Sequence, residues 1–295
     1  MGEKLVYING EFYPATEAKI SVFDRGFLFG DGVFEGIRVY DGKIFKLDEH
    51  LKRLYRSAHA VLIRISLTFD ELRKAVIETV RKNNLKDAYI RLIVSRGIGD
   101  LGLDITKCKT PTIVIIADDI SLFPKEIYEK GIEAITSSIR ASYGDILPPQ
   151  VKNLNYLSHI LAKWEAINAG AHEAIMLTRE GYVAEGTGEN IFIIRDKCLI
   201  TPPSWVRALE GITREAILEI SWKIEEIEDI IEDIFTRYDL YVADECFLCG
   251  TAAEVIPVVK IDGRVIGDGK PGSITREIMK RFRERVVQEG VDVYK

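Results

Sequence analysis

The run Leu147-Pro148-Pro149 constrains this chain more than any other stretch. Each proline fixes its own φ and pushes the residue before it out of the helical region. A lysine, Lys152, follows, and behind it Leu157, Ile160, Leu161, Trp164 and Ile167 recur at i, i+3, i+4, i+7 and i+10. That spacing predicts an amphipathic helix. Gly170 ends it, because glycine enters the left-handed region without strain. Lys152 and Tyr156 are four residues apart and share a helix face if the first turn begins at the lysine.

Further on, Glu185 stands in Ala184-Glu185-Gly186-Thr187-Gly188, an acid in a glycine-bearing segment. A lysine held by a rigid approach can be desolvated, which lowers its pKa and lets it attack a carbonyl as a free amine. An acid able to protonate a pyridine nitrogen would complement it in a pyridoxal phosphate site. The same residues also read as a surface lysine before a helix and a loop carboxylate. Spacing alone leaves both open.

A chain of 295 residues with 47% apolar and 29% charged residues has ample core for two domains. Its net charge of −6 gives no general attraction to nucleic acid or anionic membrane. MGEKLVYING lacks the features of a signal peptide, and no apolar run approaches the ~20 residues of a membrane span. The expected compartment is therefore cytoplasmic. Cys108 and Cys198 stand alone, and Cys246 and Cys249 lie three apart in an expected strand, on opposite faces, where they read as buried thiols rather than metal ligands. The four histidines show no ligand spacing, so no metal is expected. Scarce glutamine beside abundant isoleucine, glutamate and lysine suits a thermophilic source.

Along the chain, Asn9-Gly10 and Asp41-Gly42 each separate two strand-like runs and predict hairpins. Ile20 to Phe23 reads as a strand, and Gly26 to Gly36 as a bulged strand or backbone packed against an apolar pocket. Asp48 is the expected cap of a helix carrying Leu47, Leu51 and Leu54, with Arg53 on its solvated side. Thr68 or Asp70 opens a second helix. Tyr89 to Ser95 and Pro111 to Ala117 are strands, joined by a loop with Leu101 and Leu103 exposed. The pattern lapses at 118–126, the expected linker between a small domain (1–117) and a larger one (127–295). Beyond it, segments from Ala174 to Thr201 suggest an antiparallel meander, and Thr213 is the expected N-cap of the next helix, a terminus that can take an anion although most N-caps bind no ligand.

Several segments, in order, resemble the class IV pyridoxal-phosphate aminotransferases, most closely the branched-chain amino acid aminotransferases. They are GDGVFEGIRVY, EHLKRLYRSA, DAYIRLI, KNLNYL, VAEGTGENIF, GITREAI, LYVADECFLCGTAAEVIPV and GKPG before the last helix. The resemblance spans nearly the whole chain. It implies an α+β, two-domain, fold type IV architecture like that of D-amino acid aminotransferase, with pyridoxal 5′-phosphate between a small N-terminal α/β domain and a larger β-rich domain. By the same resemblance Lys152 would hold the cofactor covalently and move the substrate proton. Tyr156 would bond the cofactor's O3′, and Glu185 its ring nitrogen. Arg53, Ile212, Thr213 and Thr251 would bind the phosphate, and the backbone at Thr251 and Ala252 the substrate carboxylate. Phe29, Phe34, Tyr89, Leu101 and Leu103 would line the side-chain pocket, the leucines from a neighbouring subunit, and Arg91 would meet glutamate's distal carboxylate.

The implied reaction is ping-pong transfer between leucine, isoleucine or valine and 2-oxoglutarate, in a homodimer or higher homo-oligomer such as a hexamer. Two residues depart from the family pattern: Phe29 replaces a tyrosine that supports the arginine, and Leu122 stands where relatives carry an aromatic. D-amino acid aminotransferase, aminodeoxychorismate lyase and a non-catalytic cofactor-binding protein are the alternatives. The first lacks support because its Arg-x-His is replaced by Arg91-Leu92-Ile93.

Overall fold

The computed structural model describes residues 3–119, 123–141 and 147–295. Leu122, in the expected linker, lies outside them. The chain forms two compact units: residues 1–120, 151–155 and 286–295 make the first, and residues 121–150 and 156–285 the second.

The first unit begins with β1 (Leu5–Ile8) and β2 (Glu11–Pro14), joined through Asn9 and Gly10 at φ 50° and 105°, as a type I′ hairpin turn demands. A five-residue helix, α1 (Arg25–Phe29), follows; the Asp24 side chain caps it, and Gly30 at φ 68° ends it. The expected strand at Ile20 to Phe23 is absent, and the glycine–phenylalanine run is helix before strand. The cap and the left-handed glycine decide this locally. Then come β3 (Gly32–Tyr40), β4 (Lys43–Ile44), α2 (Leu47–Ala60), α3 (Phe69–Lys82), β5 (Ala88–Ser95) and β6 (Thr112–Asp118). The sheet is antiparallel, in the order Val291–Asp292, β4, β3, β5, β6, β1, β2. α2 packs on β3, and α3 on β1, β5 and β6.

Thr68 and Glu71 close a reciprocal capping box at the start of α3. α2 has no such cap. It starts after Lys46 at φ 51°, so Asp48, the expected cap, lies inside the first turn and pairs with Arg73 at 2.7 Å.

The second unit holds α4 (Lys125–Lys130), β7 (Ile132–Arg140), α5 (Leu157–Asn168), β8 (Glu173–Leu177), β9 (Val183–Glu185), β10 (Asn190–Arg195), β11 (Cys198–Thr201), α6 (Ile212–Ser221), β12 (Asp229–Glu232), α7 (Arg237–Tyr241), β13 (Glu245–Gly250), β14 (Glu254–Ile261) and most of α8 (Ser273–Gln288). Its mixed sheet runs β12, β11, β10, β13, β14, β7, β8, β9, with Arg264–Val265 paired to β14. The expected meander is corrected here. β8 with β9, and β10 with β11, are antiparallel neighbours, but β13, β14 and β7 lie between the two pairs. The cause is the parallel β7–β8 pair, which needs a crossover and takes α5 for it.

α5 also reverses the expected use of its apolar stripe. Ala162 and Ala166 are the buried residues, packed with Ala141, Ala174, Met176 and Ala184, while Leu157, Ile160, Leu161, Trp164 and Ile167 are exposed. Small side chains bring the helix close to the sheet. A larger one there forces backbone shifts, so Ala166→Leu should cost about 1–3 kcal/mol in chemical denaturation; an unchanged midpoint would show that this face is loosely packed.

Candidate active site

Lys152 is not on the helix that follows it. α5 begins at Leu157 with Tyr156 as its N-cap, so the lysine and tyrosine share no helix face. Instead the segment around Lys152 docks on the edge of β3. On that edge, among the described residues, β4 reaches only Val39 and Tyr40 of β3. There the Phe34 N–H donates to the Lys152 carbonyl (3.0 Å), the Leu154 N–H to the Gly32 carbonyl (3.0 Å), and Val33 and Asn153 form a bridge. The Lys152 N–H donates to Ser57 Oγ of α2 at 3.2 Å.

This docking sets Lys152 Nζ 4.6 Å from the centroid of the Phe34 ring. The Arg91 guanidinium lies 4.4 Å from the same centroid and 5.6 Å from that of Tyr89. The register explains the grouping: Gly36 opposes Arg91, and Arg38 opposes Tyr89, so Phe34, Gly36, Tyr89 and Arg91 share one sheet face. Gly36 is required there, because a Cβ would run into the Tyr89 hydroxyl. Burial raises the Tyr89 pKa, and the neighbouring Arg91 charge works against that rise.

Arg53 is buried, at 4% exposure, and the solvated reading of its helix face is overturned. Its Nε donates to Glu35 Oε1 and its Nη2 to Glu35 Oε2, both at 2.7 Å, and His50 Nδ1 lies 2.7 Å from Oε2. Glu35 points to the face of β3 opposite Phe34, where α2 packs. Burial pushes the Glu35 carboxyl up, but the Arg53 charge and hydrogen bonds, with His50, hold it at about 2. Burial lowers the His50 pKa against the pull of Glu35, with Arg53 and Lys152 adding to the fall.

In the second unit the Tyr156 ring stacks on His159 at 4.6 Å, and His159 Nδ1 lies 2.9 Å from the Thr187 carbonyl oxygen. Glu185 Oε2 accepts the Leu209 N–H at 3.0 Å, while Asn190 Nδ2 donates to the Leu209 carbonyl at 2.9 Å. Those two bonds fix the entry to α6. Its N-cap is Gly211, without a capping side chain; Thr213, the expected cap, sits within the first turn and is buried. A Cβ at Gly211 would strike Asn190 Oδ1. The first N–H groups of α6 are thus left without a side-chain cap, which favours an anion. Thr251 and Ala252 lie in the turn after β13, whose last residue, Gly250, abuts Gly188 and Glu189. Tyr156, Glu185, Ile212, Thr213 and Thr251 therefore gather around the ends of β9, β10 and β13.

Phe29, Leu101 and Leu103 are placed differently. All three are exposed. Arg25 lies over Phe29 at 4.9 Å and donates to the Gly102 carbonyl, tying α1 to the loop after β5. They form an apolar lobe on the first unit's surface.

Sequence reasoning missed Glu35, His50, Ser57 and Glu189. A carboxylate inside the apolar β3 run, with His50 and Arg53 at i and i+3 on the next helix, was the available signal for the first two. Glu189 is buried beside Glu173, which in turn holds Lys163 (2.6 Å) and the Thr187 hydroxyl (2.6 Å). Burial pushes the Glu189 carboxyl up to about 8, the Glu173 charge adds to this, and Lys163 opposes it.

The family described as Amino-transferase class IV matches residues 32–261. A putative branched-chain-amino-acid aminotransferase of Methanocaldococcus jannaschii is 50% identical over 289 residues, 98% of this chain and 99% of that one. The crystal structure of the Escherichia coli branched-chain amino acid aminotransferase superposes with a TM-score of 0.93 at 36% identity, covering 99% of this chain and 98% of that one. The branched-chain aminotransferase of the thermophilic archaeon Thermoproteus uzoniensis, solved with norvaline, gives 0.90 at 39% identity, covering 97% and 96%. With the α+β, two-unit architecture above, these matches show that the chain belongs to the class IV aminotransferases, in the fold type IV group expected from its sequence.

Glu189 yields a pH prediction. Its folded pKa lies above its unfolded value, so the folded state holds a proton that the unfolded chain releases, and stability falls as pH rises towards about 8. Glu189→Gln should remove that slope. Its melting temperature should gain on the wild type from pH 5 to pH 8 and then run parallel, whereas parallel curves throughout would place Glu189 in an ordinary carboxylate environment.

Proposed function

We propose that the protein is a pyridoxal-phosphate-dependent branched-chain amino acid aminotransferase, exchanging the amino group of leucine, isoleucine or valine with 2-oxoglutarate. The observation that carries this reading is the placement of Lys152 and Arg91 against one aromatic ring, Phe34, on one sheet face. A primary amine for carbonyl chemistry and a fixed cation for a second carboxylate thus flank an apolar surface. That combination suits substrates alternating between an aliphatic side chain and glutamate's carboxylate.

The cofactor fits the residues present. Its phosphate needs a cation and uncapped N–H groups: Arg53 would supply the first, and the start of α6, with the Thr213 and Thr251 hydroxyls, the second. Its ring nitrogen needs an acid, the role of Glu185; its phenolic oxygen needs a donor, the role of Tyr156. When bound, the cofactor supplies the electron sink that makes the substrate Cα–H acidic. Lys152 would move that proton between the substrate Cα and the cofactor's C4′. Glu185 would pair with the ring nitrogen and hold a proton there. The N–H groups at Thr251 and Ala252 hold the α-carboxylate, and Phe34 and Tyr89 exclude water from the side chain. Arg91 is needed only by the dicarboxylate.

We assign a homodimer or a higher homo-oligomer to the working enzyme. The exposed Phe29, Leu101 and Leu103 support this, since apolar side chains in one lobe favour cover by a second copy. Among the described residues no helix is long and apolar enough to cross a membrane; a cytoplasmic location is proposed.

The holoprotein's visible absorbance should shift to that of the amine form of the cofactor with L-leucine or L-valine and return with 2-oxoglutarate. Lys152→Ala should abolish the shift. Response to D-alanine alone would overturn the substrate assignment, and a colourless protein after cofactor supply would overturn the cofactor. Arg91→Met should raise the KM for 2-oxoglutarate about 10- to 100-fold, the loss expected for hydrogen bonds to a charged group, while the KM for leucine stays within about threefold; equal losses would remove Arg91 from the dicarboxylate.

A further inference from the structure

We propose that Glu35 is a positioning residue for cofactor phosphate binding, acting from behind the sheet through Arg53 rather than by touching the cofactor. The proposal rests on Arg53 being a phosphate-binding residue.

Glu35 is fully buried, His50 is 1% exposed and Arg53 4%. The Glu35 carboxylate meets Nε and Nη2 of one guanidinium, each at 2.7 Å, in a two-pronged contact. A single hydrogen bond would leave the guanidinium able to roll about it. Two parallel ones fix both its plane and its rotation. The carboxylate is fixed in turn, because His50 contacts Oε2 from the preceding turn of α2. Three side chains from two packed elements thereby determine one orientation, and only one edge of the guanidinium is turned towards the carboxylate.

The same two elements hold Lys152. Phe34, next to Glu35 on β3, bonds the Lys152 carbonyl; Ser57, one turn beyond Arg53 on α2, accepts the Lys152 N–H. The phosphate-binding cation and the reactive amine are consequently set by adjacent residues of one strand and one helix. Glu35 is the point at which β3 governs Arg53. If the pair served only the fold, its loss would weaken the protein without changing how it distinguishes a phosphorylated ligand from an unphosphorylated one.

The test titrates full-length apoprotein with pyridoxal 5′-phosphate and with pyridoxal, followed by absorbance, and takes the ratio of the two dissociation constants. Glu35→Gln keeps the size but loses one carboxylate oxygen and the charge. It should raise the Kd for pyridoxal 5′-phosphate about tenfold or more and that for pyridoxal by less than about twofold. Glu35→Asp retains the ion pair but draws the guanidinium back, and should shift the ratio in the same direction even if Glu35→Gln fails to fold. Arg53→Met should itself erase most of the preference for the phosphorylated ligand, and adding Glu35→Gln to it should change the ratio no further. A folded Glu35 variant with an unchanged ratio overturns the proposal. An unchanged ratio in Arg53→Met overturns the phosphate role of Arg53 instead, which separates the two failures.

Discussion

Two backbone hydrogen bonds between Gly32–Phe34 and Lys152–Leu154 hold the rest of the first unit's chemistry in register. They exist because β4 is only two residues long and, among the described residues, reaches only Val39 and Tyr40 of β3. An open edge is a row of unmet donors and acceptors, and a distant part of the chain satisfies it here. Each bond contributes only about 1 kcal/mol net, yet geometry rather than strength is what they provide. They set Lys152 beside Phe34, and through Phe34 beside Arg91.

Buried charge is handled in two opposite ways. Glu35 is ionised, its desolvation offset by a bidentate cation and a histidine. Glu189 has its pKa raised by burial and then by the Glu173 charge, which favours its protonated form. The first arrangement gives a fixed negative group that orients a cation; the second avoids a further buried charge beside Glu173. Replacing both charges of a buried pair by apolar groups is often tolerated, while removing one is not. Glu35 and Arg53 therefore have to be considered together.

Local chemistry was largely legible in the residues. Asn9-Gly10, Asp41-Gly42, Thr68 with Glu71, and Gly170 each act within a few positions, and each turn or cap stands where its residues point. Long-range pairing was not. Nothing around Val151 reveals that it returns to β3, and nothing in β8 or β9 reveals that three strands separate their pair from the β10–β11 pair. α5 misled for another reason. A periodic apolar stripe shows that a helix has two faces, but not which face meets the sheet, and alanines at 162 and 166 allow the closer approach. Arg53 misled because a charged side chain on a helix is usually solvated, and its partner lies on a strand preceding that helix. The resemblance of ordered motifs named the site residues; it was silent on Glu35, which lies in one of those motifs.

The division of the chain also bears on how the molecule is made. The first unit contains residues 151–155 and 286–295 besides its opening 120 residues, and Val291–Asp292 forms the edge strand beside β4. At ~5–20 residues per second of synthesis, the ribosome finishes β6 on the order of ten seconds before that edge strand emerges. During this interval the early sheet stays incomplete on one side, and β3 waits for the segment that carries Lys152. The second unit is made almost entirely within the pause. A nascent chain of this kind has to keep a half-built sheet from finding the wrong partner until its last strand arrives.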